Sequence, residues 1–383
     1  MLKETLEKLQ TNEEKERLVL GVVEEEIAKG DYDRILEMLT SLQDDWSGLS
    51  TARLTKIFKQ IFGTISIGTD NYEGVIRLLN GLIDWSGDRM LLKSDLECKL
   101  IYVYLTTGMY KETLDLIKVT VKRLKKFEDK INLIRVFLYE SRAYYELKNL
   151  NMAKSALTAA RALAVSVTTP SSLQAQIDLL NGMFLVDEKY RESATGYFVE
   201  AIEGFQLDKM PENAKLPLVY LVLCKMLDNK VDELKGLMQN KYVRNLQNEN
   251  ENEMLQVLIE LAQISKHRDV VKYKGILADR SGLLQQNLFI LKHLNLHYNE
   301  LLNQNILKIV EPYSRVKITF IASKLNFEES LIEDKLRMMI LDKAIYGILD
   351  HRTQSLILYE KKEDGDVGFR KNIAILREYM CKL

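Results

Sequence analysis

A tetrapeptide that returns after 39 residues confines this chain to a small set of folds. Asp45-Trp46-Ser47-Gly48 recurs as Asp84-Trp85-Ser86-Gly87, and a second series keeps the same period: Tyr32, Tyr72, Tyr110, Met152 and Tyr190 are spaced by 40, 38, 42 and 38. Each member follows a short polar or glycine-containing turn, such as Lys29-Gly30-Asp31 or Thr107-Gly108. Each has a small or aliphatic residue four positions on: Leu36, Ile76, Leu114, Ala156 and Ala194. Positions i and i+4 share one face of a helix. Each unit therefore reads as helix A, a tight turn and helix B, whose first turn packs an aromatic or methionine plus an aliphatic. The series runs on less cleanly through Val231 and Val270. The prolines agree, since only Pro170, Pro211, Pro217 and Pro312 occur and the first 169 residues have none, which leaves room for long helices.

A period of this length is close to that of tetratricopeptide-like and HEAT-like helix pairs. One pair cannot bury both apolar faces, so neighbours must stack. The expected fold is mainly α: a right-handed, tetratricopeptide-like α-solenoid over residues 1–200, continuing through 201–298. Ala153, Ala156, Ala159, Ala160, Ala162 and Ala164 suit a helix B approached closely by its neighbours. The usual product of such a fold is an extended surface for other proteins.

Charge and cysteine content narrow the function classes. With 54 basic and 55 acidic residues the net charge is -1, so nothing draws the whole chain to nucleic acid or an anionic membrane. No apolar run approaches the ~18–20 residues of a membrane span. Met1-Leu2-Lys3-Glu4-Thr5 lacks a signal core, which predicts an intracellular protein. Cys98, Cys224 and Cys381 lie too far apart in sequence for a disulfide framework or zinc cluster.

From about Gly282 the pattern changes. Leu283 to Ile309 is apolar and helical, and Glu311-Pro312 stops it because a residue before proline avoids the α region. Arg315-Val316-Lys317-Ile318 alternates like a short strand. A helix over about Thr319–Leu325 follows. Asn326 is expected to cap the next helix, with Glu329 completing a capping box and Phe327, Leu331, Leu336 and Ile340, or close neighbours, facing the core. Ile348-Leu349-Asp350 and Leu356-Ile357-Leu358-Tyr359 then form two β runs joined by His351–Ser355. Helix, strand, helix, helix, strand, strand is the order of a winged helix, placed at 299–360.

The same residues resemble a known family. The run from Leu302 through Asn305, Glu311, Pro312, Tyr313, Ser314, Arg315 and Val316 is similar to the opening of the PCI winged helix in 26S proteasome lid subunits of the non-ATPase subunit 11 type. Leu341-Asp342-Lys343 and Gly347-Ile348-Leu349-Asp350 resemble its later blocks, and Thr51–Ile57 and Leu163–Asp178 are similar upstream. His351, where the family usually has glutamine, and Gln247–Glu253 depart from the pattern. The resemblance implies a non-catalytic scaffold without cofactor, resident in cytoplasm and nucleus. Its implied partners are other lid PCI subunits, the lid deubiquitinase subunits, the ATPase ring and the core-particle α-ring. A scaffold of the COP9 signalosome, built to the same plan, is the alternative, with other PCI complexes behind it.

The chain lacks the patterns of common enzymes. It has no phosphate-cradling glycine loop, dinucleotide fingerprint or nucleophile elbow. His293 and His297 share a helix face, yet Leu294 stands where a zinc protease needs glutamate, so they read as helix histidines with a metal site as the rival. The third winged-helix segment carries Glu328, Glu329, Glu333, Asp334 and Asp342 against Lys335, Arg337 and Lys343, which repels phosphate. The basic stretch Lys118–Lys130 reads as a solvated helix end, or as a docking patch for an acidic partner. Two surfaces are candidate interfaces. Leu356–Tyr359 is a candidate edge strand open to a partner's strand. Phe369, Ile373, Leu376 and Met380 form one apolar stripe on a C-terminal assembly helix within 361–383.

Overall fold

The computed structural model describes residues 21–41 (24 and 28 excepted), 56, 72–238 (88 excepted), 253–359 and, singly, 373, 375, 377 and 380. The first tetrapeptide copy at 45–48, most of the upstream block 51–57, and Gln247–Asn252 lie outside the described residues. The chain divides into two compact units at Pro217. The first contains α1 (Tyr32–Ser41), α2 (Tyr72–Ser86), α3 (Met90–Thr106), α4 (Tyr110–Phe127), α5 (Lys130–Glu146), α6 (Leu150–Val165), α7 (Ser171–Asp187) and α8 (Arg191–Leu207). Helix α9 (Pro211–Leu227) carries Pro217 in its interior, where no N–H is available for the carbonyl four residues back.

Within the first unit, sequence neighbours pack pairwise, and α5 also touches both α3 and α7. The period places the B helices correctly: α1, α2 and α4 begin on Tyr32, Tyr72 and Tyr110. The expected packing residues hold in part: Tyr32, Ala156 and Ala194 are buried, and Leu36 and Ile76 pack against the core. Tyr190 is 64% exposed and Met152 45%, whereas each later B helix buries one stripe at i, i+4, i+7 and i+11. The stripe is Val75, Leu79, Leu82 and Ser86 in α2; Thr113, Ile117, Thr120 and Leu124 in α4; Ala153, Leu157, Ala160 and Ala164 in α6; Ala194, Phe198, Ala201 and Phe205 in α8. Helices α3, α5 and α7 are buried around much of their circumference, as an inner layer of stacked pairs must be. Contact is close enough that a Cβ on Gly182 would lie 2.6 Å from the Phe198 ring.

The turns repeat as faithfully as the helices. Gly30, Gly108, Lys148, Lys189, Asn229 and Arg268 all have positive φ, each two residues before a B-type helix. At each, the next N–H bonds the carbonyl five residues back: Met109 to Tyr104, 2.9 Å; Asn149 to Tyr144, 2.9 Å; Tyr190 to Leu185, 2.9 Å; Lys230 to Lys225, 3.0 Å. This is the Schellman closure of one helix, and the same residues start the next. Asn149 and Asp269 add side-chain caps, accepting from the N–H of Met152 (3.3 Å) and Lys272 (3.2 Å).

The second unit holds α10 (Val231–Met238), α11 (Glu253–His267), α12 (Val270–Asp279), α13 (Ser281–Leu284) and α14 (Leu288–Val310), with α12 packed on both α11 and α14. After α14 come β1 (Arg315–Lys317), α15 (Ile318–Leu325), α16 (Glu329–Leu341), β2 (Gly347–Asp350) and β3 (Ser355–Leu358), the expected winged-helix order. Two local expectations need correction. Glu311 keeps helical dihedrals (φ -47°, ψ -43°) and donates to the Leu307 carbonyl at 2.8 Å. The stop is therefore Pro312, which has no N–H to carry the helix on. Asn326 does not open α16; it sits at φ 55°, ψ 46° and closes α15 by donating to the Ala322 carbonyl. Asparagine tolerates that left-handed conformation, and Glu328 precedes α16 without a side-chain cap. Helix α16 buries Ile332, Leu336 and Met339, so the expected core face holds, with Ile332 and Met339 in the core beside half-buried Leu331 and Ile340.

Candidate assembly interface

The winged-helix sheet has the strand order β1-β3-β2, all antiparallel. Leu356–Tyr359 is therefore not an edge: β3 is the central strand, hydrogen-bonded on both sides, and β1 and β2 are the edges. The reason is connectivity, because the β2–β3 hairpin brings β3 back between its partner and β1. The register defines two faces. Val316, Leu356 and Leu349 stand opposite one another and turn toward the helices; Leu356 is fully buried. Arg315, Ile357 and Ile348 align across the other face, where Ile348 is 61% exposed and Ile357 38%. Tyr359, two residues beyond Ile357, is exposed, and its N–H donates to the Tyr346 carbonyl at 3.1 Å. A partner can thus reach Ile357 and Tyr359 but not Leu356; Leu358 is half-buried.

The family-motif residues hold this sheet in place. Arg315 spans it: Nε donates to Ser355 Oγ at 3.1 Å and Nη2 to Thr353 Oγ1 at 2.8 Å. Thr353 donates in turn to Asp350 Oδ2 at 2.6 Å, and the Arg352 N–H to Oδ1 at 3.0 Å. The Thr353 hydroxyl bond, aided by those backbone N–H groups and the nearby Arg315 charge, lowers the Asp350 pKa. Ser314 accepts from the Leu358 N–H at 2.8 Å, and Tyr313 packs edge-on against Phe320 with centroids 5.9 Å apart. Gly347 begins β2 where a Cβ would lie 2.7 Å from the Ile357 carbonyl oxygen, so close backbone approach requires glycine. Lys343 takes positive φ after α16, with the Ala344 N–H bonded to Met339 at 2.9 Å. Asn305 on α14 donates to the Arg268 carbonyl at 2.9 Å, tying that helix to the turn before α12. Glu311, Pro312, Leu341 and Asp342 are exposed.

Other candidate features have internal partners. In α16, Arg337 pairs with Glu333 (3.0 Å) and Asp334 (3.1 Å), and Lys335 donates to Asn299 at 2.7 Å. His351 Nδ1 lies 3.3 Å from Glu333. In the basic stretch, Arg123 is bound to buried Glu97, Lys118 to Asp115 at 2.8 Å, and Lys125 stands 6.0 Å from the centre of the Phe137 ring. Lys125 and Lys126 occupy the last turn of α4, where positive charge complements the helix dipole. His293 and His297 are buried; His297 Nε2 is 2.9 Å from Ser265 Oγ, and the Phe289 ring meets His293 edge-on at 4.5 Å. No group of three or more metal-ligating side chains occurs among the described residues. Burial pushes the Cys98 thiol up to about 12, and Cys224 is buried as well. Phe369 and Leu376 lie outside the described residues; Ile373 and Met380 are helical and exposed. No helix among the described residues is long and apolar enough to cross a membrane.

A family model described as the PCI domain matches residues 277–360, which enclose the winged helix. The probable 26S proteasome regulatory subunit rpn6 of Schizosaccharomyces pombe is 30% identical over 352 residues, covering 91% of this chain and 83% of the relative. The 26S proteasome non-ATPase regulatory subunit 11 of Dictyostelium discoideum is 30% identical over 352 residues, 91% and 84% of the two chains. The Arabidopsis thaliana homolog of that subunit is 31% identical over 326 residues, 85% of this chain and 77% of the relative. With identity of this extent spanning helical repeats and winged helix alike, the chain belongs to the family of 26S proteasome non-ATPase regulatory subunit 11.

Proposed function

We propose that the chain is a non-catalytic scaffold subunit of the lid of the proteasomal 19S regulatory particle. Its winged helix packs beside those of other lid PCI subunits. Its solenoid braces the lid, with its deubiquitinase subunits, against the ATPase ring and the core-particle α-ring. The protein acts by position: it keeps substrate unfolding, ubiquitin removal and proteolysis in register, and those reactions belong to other chains. The cytoplasm and nucleus are the matching locations. The observation that carries the reading is an apolar, solvent-facing sheet surface, Ile348 and Ile357, on a domain whose relatives are named as proteasome regulatory subunits. An apolar face rimmed by charge is a common protein-contact surface. The motif residues Arg315, Gly347 and Asp350 shape that surface, and the C-terminal stripe Phe369, Ile373, Leu376 and Met380 joins helices of neighbouring subunits. Purification of the tagged protein from its own cells, with intact-complex mass spectrometry, tests this. The six ATPases and the core particle are expected to copurify; a complex of signalosome subunits, or a lone monomer, refutes it.

A further inference from the structure

Helix α4 carries a row of outward-facing lysines that the fold itself does not use. Its buried stripe, Thr113, Ile117, Thr120 and Leu124, faces its neighbours. At about 3.6 residues per turn, Lys111, Lys118, Lys122 and Lys126 fall on the opposite side, and all four are exposed. Lys118 reaches Asp115 at 2.8 Å, a pair open to solvent on both sides and therefore weak. Lys122, Lys126 and, at the start of α5, Lys130 make no hydrogen bond or ion pair among the described residues. Lysines of other helices behave differently: Lys154 reaches Glu188, Lys225 reaches Glu233 and Lys266 reaches Asp232. The helix dipole accounts for the last turn of α4 but not for Lys130, which stands at the positive end of α5. Residues 118–130 hold six bases against Glu128 and Asp129, a local charge of +4 in a chain whose total is -1. Apolar side chains are set among these charges: Val119 is 55% exposed, Phe127 46% and Ile131 37%.

We propose that this face of α4, with the α4–α5 turn, docks an acidic amphipathic helix of a partner protein. Lys118, Lys122 and Lys126 stand at i, i+4 and i+8, a ridge about 12 Å long. A facing helix with carboxylates at the same intervals meets all three, and its apolar flank covers Val119 and Phe127. Two features favour a peptide over nucleic acid. The free cations are lysines, point charges without the planar fork that grips phosphate, and the arginine of the stretch, Arg123, is committed to buried Glu97. Val119 and Ile131 are aliphatic, suited to a leucine-type side chain and offering no platform on which a base could stack. The lysines speed association and select the partner's charge, while the apolar contacts slow its release. The site adds a partner chemistry to the lid-scaffold reading, and its existence does not depend on that reading.

The test uses the purified full chain and a fluorescent synthetic helix with glutamates at i, i+4, i+7 and i+11 and leucines along the adjoining face, read by anisotropy at low salt. Saturable binding is expected. It should weaken at least about tenfold in Lys122→Glu combined with Lys126→Glu, and by a similar factor when alanine replaces the peptide's leucines. The reversed side chains face solvent, so the helical circular dichroism should not change. Lys308→Glu with Lys324→Glu makes the same charge change at exposed positions of the second unit and should leave the affinity within about twofold. Equal weakening in that control would show general charge attraction and overturn the proposal. Binding that survives the α4 double variant would overturn it as well. So would a single-stranded oligothymidylate that binds more tightly than the peptide and is lost in the same variant, which would make the face a nucleic-acid surface. Failure of the lid reading would appear separately, in the composition of the complex purified from cells.

Discussion

Gly347→Ala should open the wing, and its cost follows from two distances. The added Cβ would lie 2.7 Å from the Ile357 carbonyl oxygen and 3.3 Å from Leu356 Cδ1. The Leu356 methyl can swing away; the Ile357 carbonyl cannot, because β3 is held by β1 on one side and β2 on the other. Relief must come from moving β2 outward. Overpacking of this kind costs about 1–3 kcal/mol. The Tyr359–Tyr346 bond at 3.1 Å, next along the same pairing, adds about 1 kcal/mol if it breaks. Alanine's smaller unfolded-state entropy returns about 0.4–1 kcal/mol. The net is about 1–3.6 kcal/mol, or roughly a 5- to 400-fold loss of protection at ~1.4 kcal/mol per factor of ten. Hydrogen exchange of the β2–β3 amides in the intact chain reads this locally, which suits a protein of two compact units better than one melting temperature. Gly275→Ala in α12 is the control. Its Cβ would meet nothing within 4 Å, so alanine should stabilise that helix by about 0.5–1 kcal/mol. Unchanged β2–β3 protection in Gly347→Ala would refute the close-approach argument.

Three other perturbations test separate parts of the structure. Lys148→Gly and Lys189→Gly remove a left-handed strain of about 1–2 kcal/mol and add up to about 1 kcal/mol of unfolded-state entropy; each should raise local stability by up to about 1 kcal/mol, read by exchange at the flanking turn. Glu97→Ala leaves Arg123 without its buried partner and should cost about 2–4 kcal/mol in denaturant unfolding, less than a wholly buried pair because Arg123 is 22% exposed. Asp350 has a lowered pKa, so its contribution is present above the ordinary carboxylate pKa near 4 and is lost as pH falls through the lowered value. Exchange in the His351–Gln354 loop should therefore quicken at acid pH beyond the intrinsic rate, and Thr353→Val should remove most of that dependence.

What could be read from the sequence depended on whether each residue type carries a distinctive signal. The 40-residue period found the B helices because Tyr32, Tyr72 and Tyr110 stand at their first positions. It found some packing residues, Tyr32, Ala156 and Ala194 among them, but not the full stripe, which consists largely of alanines, threonines and leucines that occur throughout the chain. The turns were legible at Gly30 and Gly108 but not at Lys148, Lys189 or Arg268, because nothing about lysine or arginine announces positive φ. Asn326 carried a real signal with two meanings, helix start and left-handed helix end, and the second applied. The winged-helix order was legible from β-rich runs and Pro312. Which strand lay in the middle was not, because strand order is set by connectivity and by packing on α15 and α16. Arg315 and Asp350 were recognised as motif positions, and their link through Thr353 and Ser355 emerged only when the hairpin brought them together.

Incorporation of the protein into its complex is expected to depend on the outer sheet face, Ile348 and Ile357. Ile348→Glu with Ile357→Glu changes side chains that already face solvent, so the chain should fold normally. The direct measurement is quantitative mass spectrometry of complexes captured on the tagged wild type and on this double variant, from the same cells. Wild type should bring down the lid, the ATPase ring and the core particle, and the variant should lose most of all three while remaining soluble and helical. Equal recovery with both proteins would contradict the assignment of that face as the assembly interface.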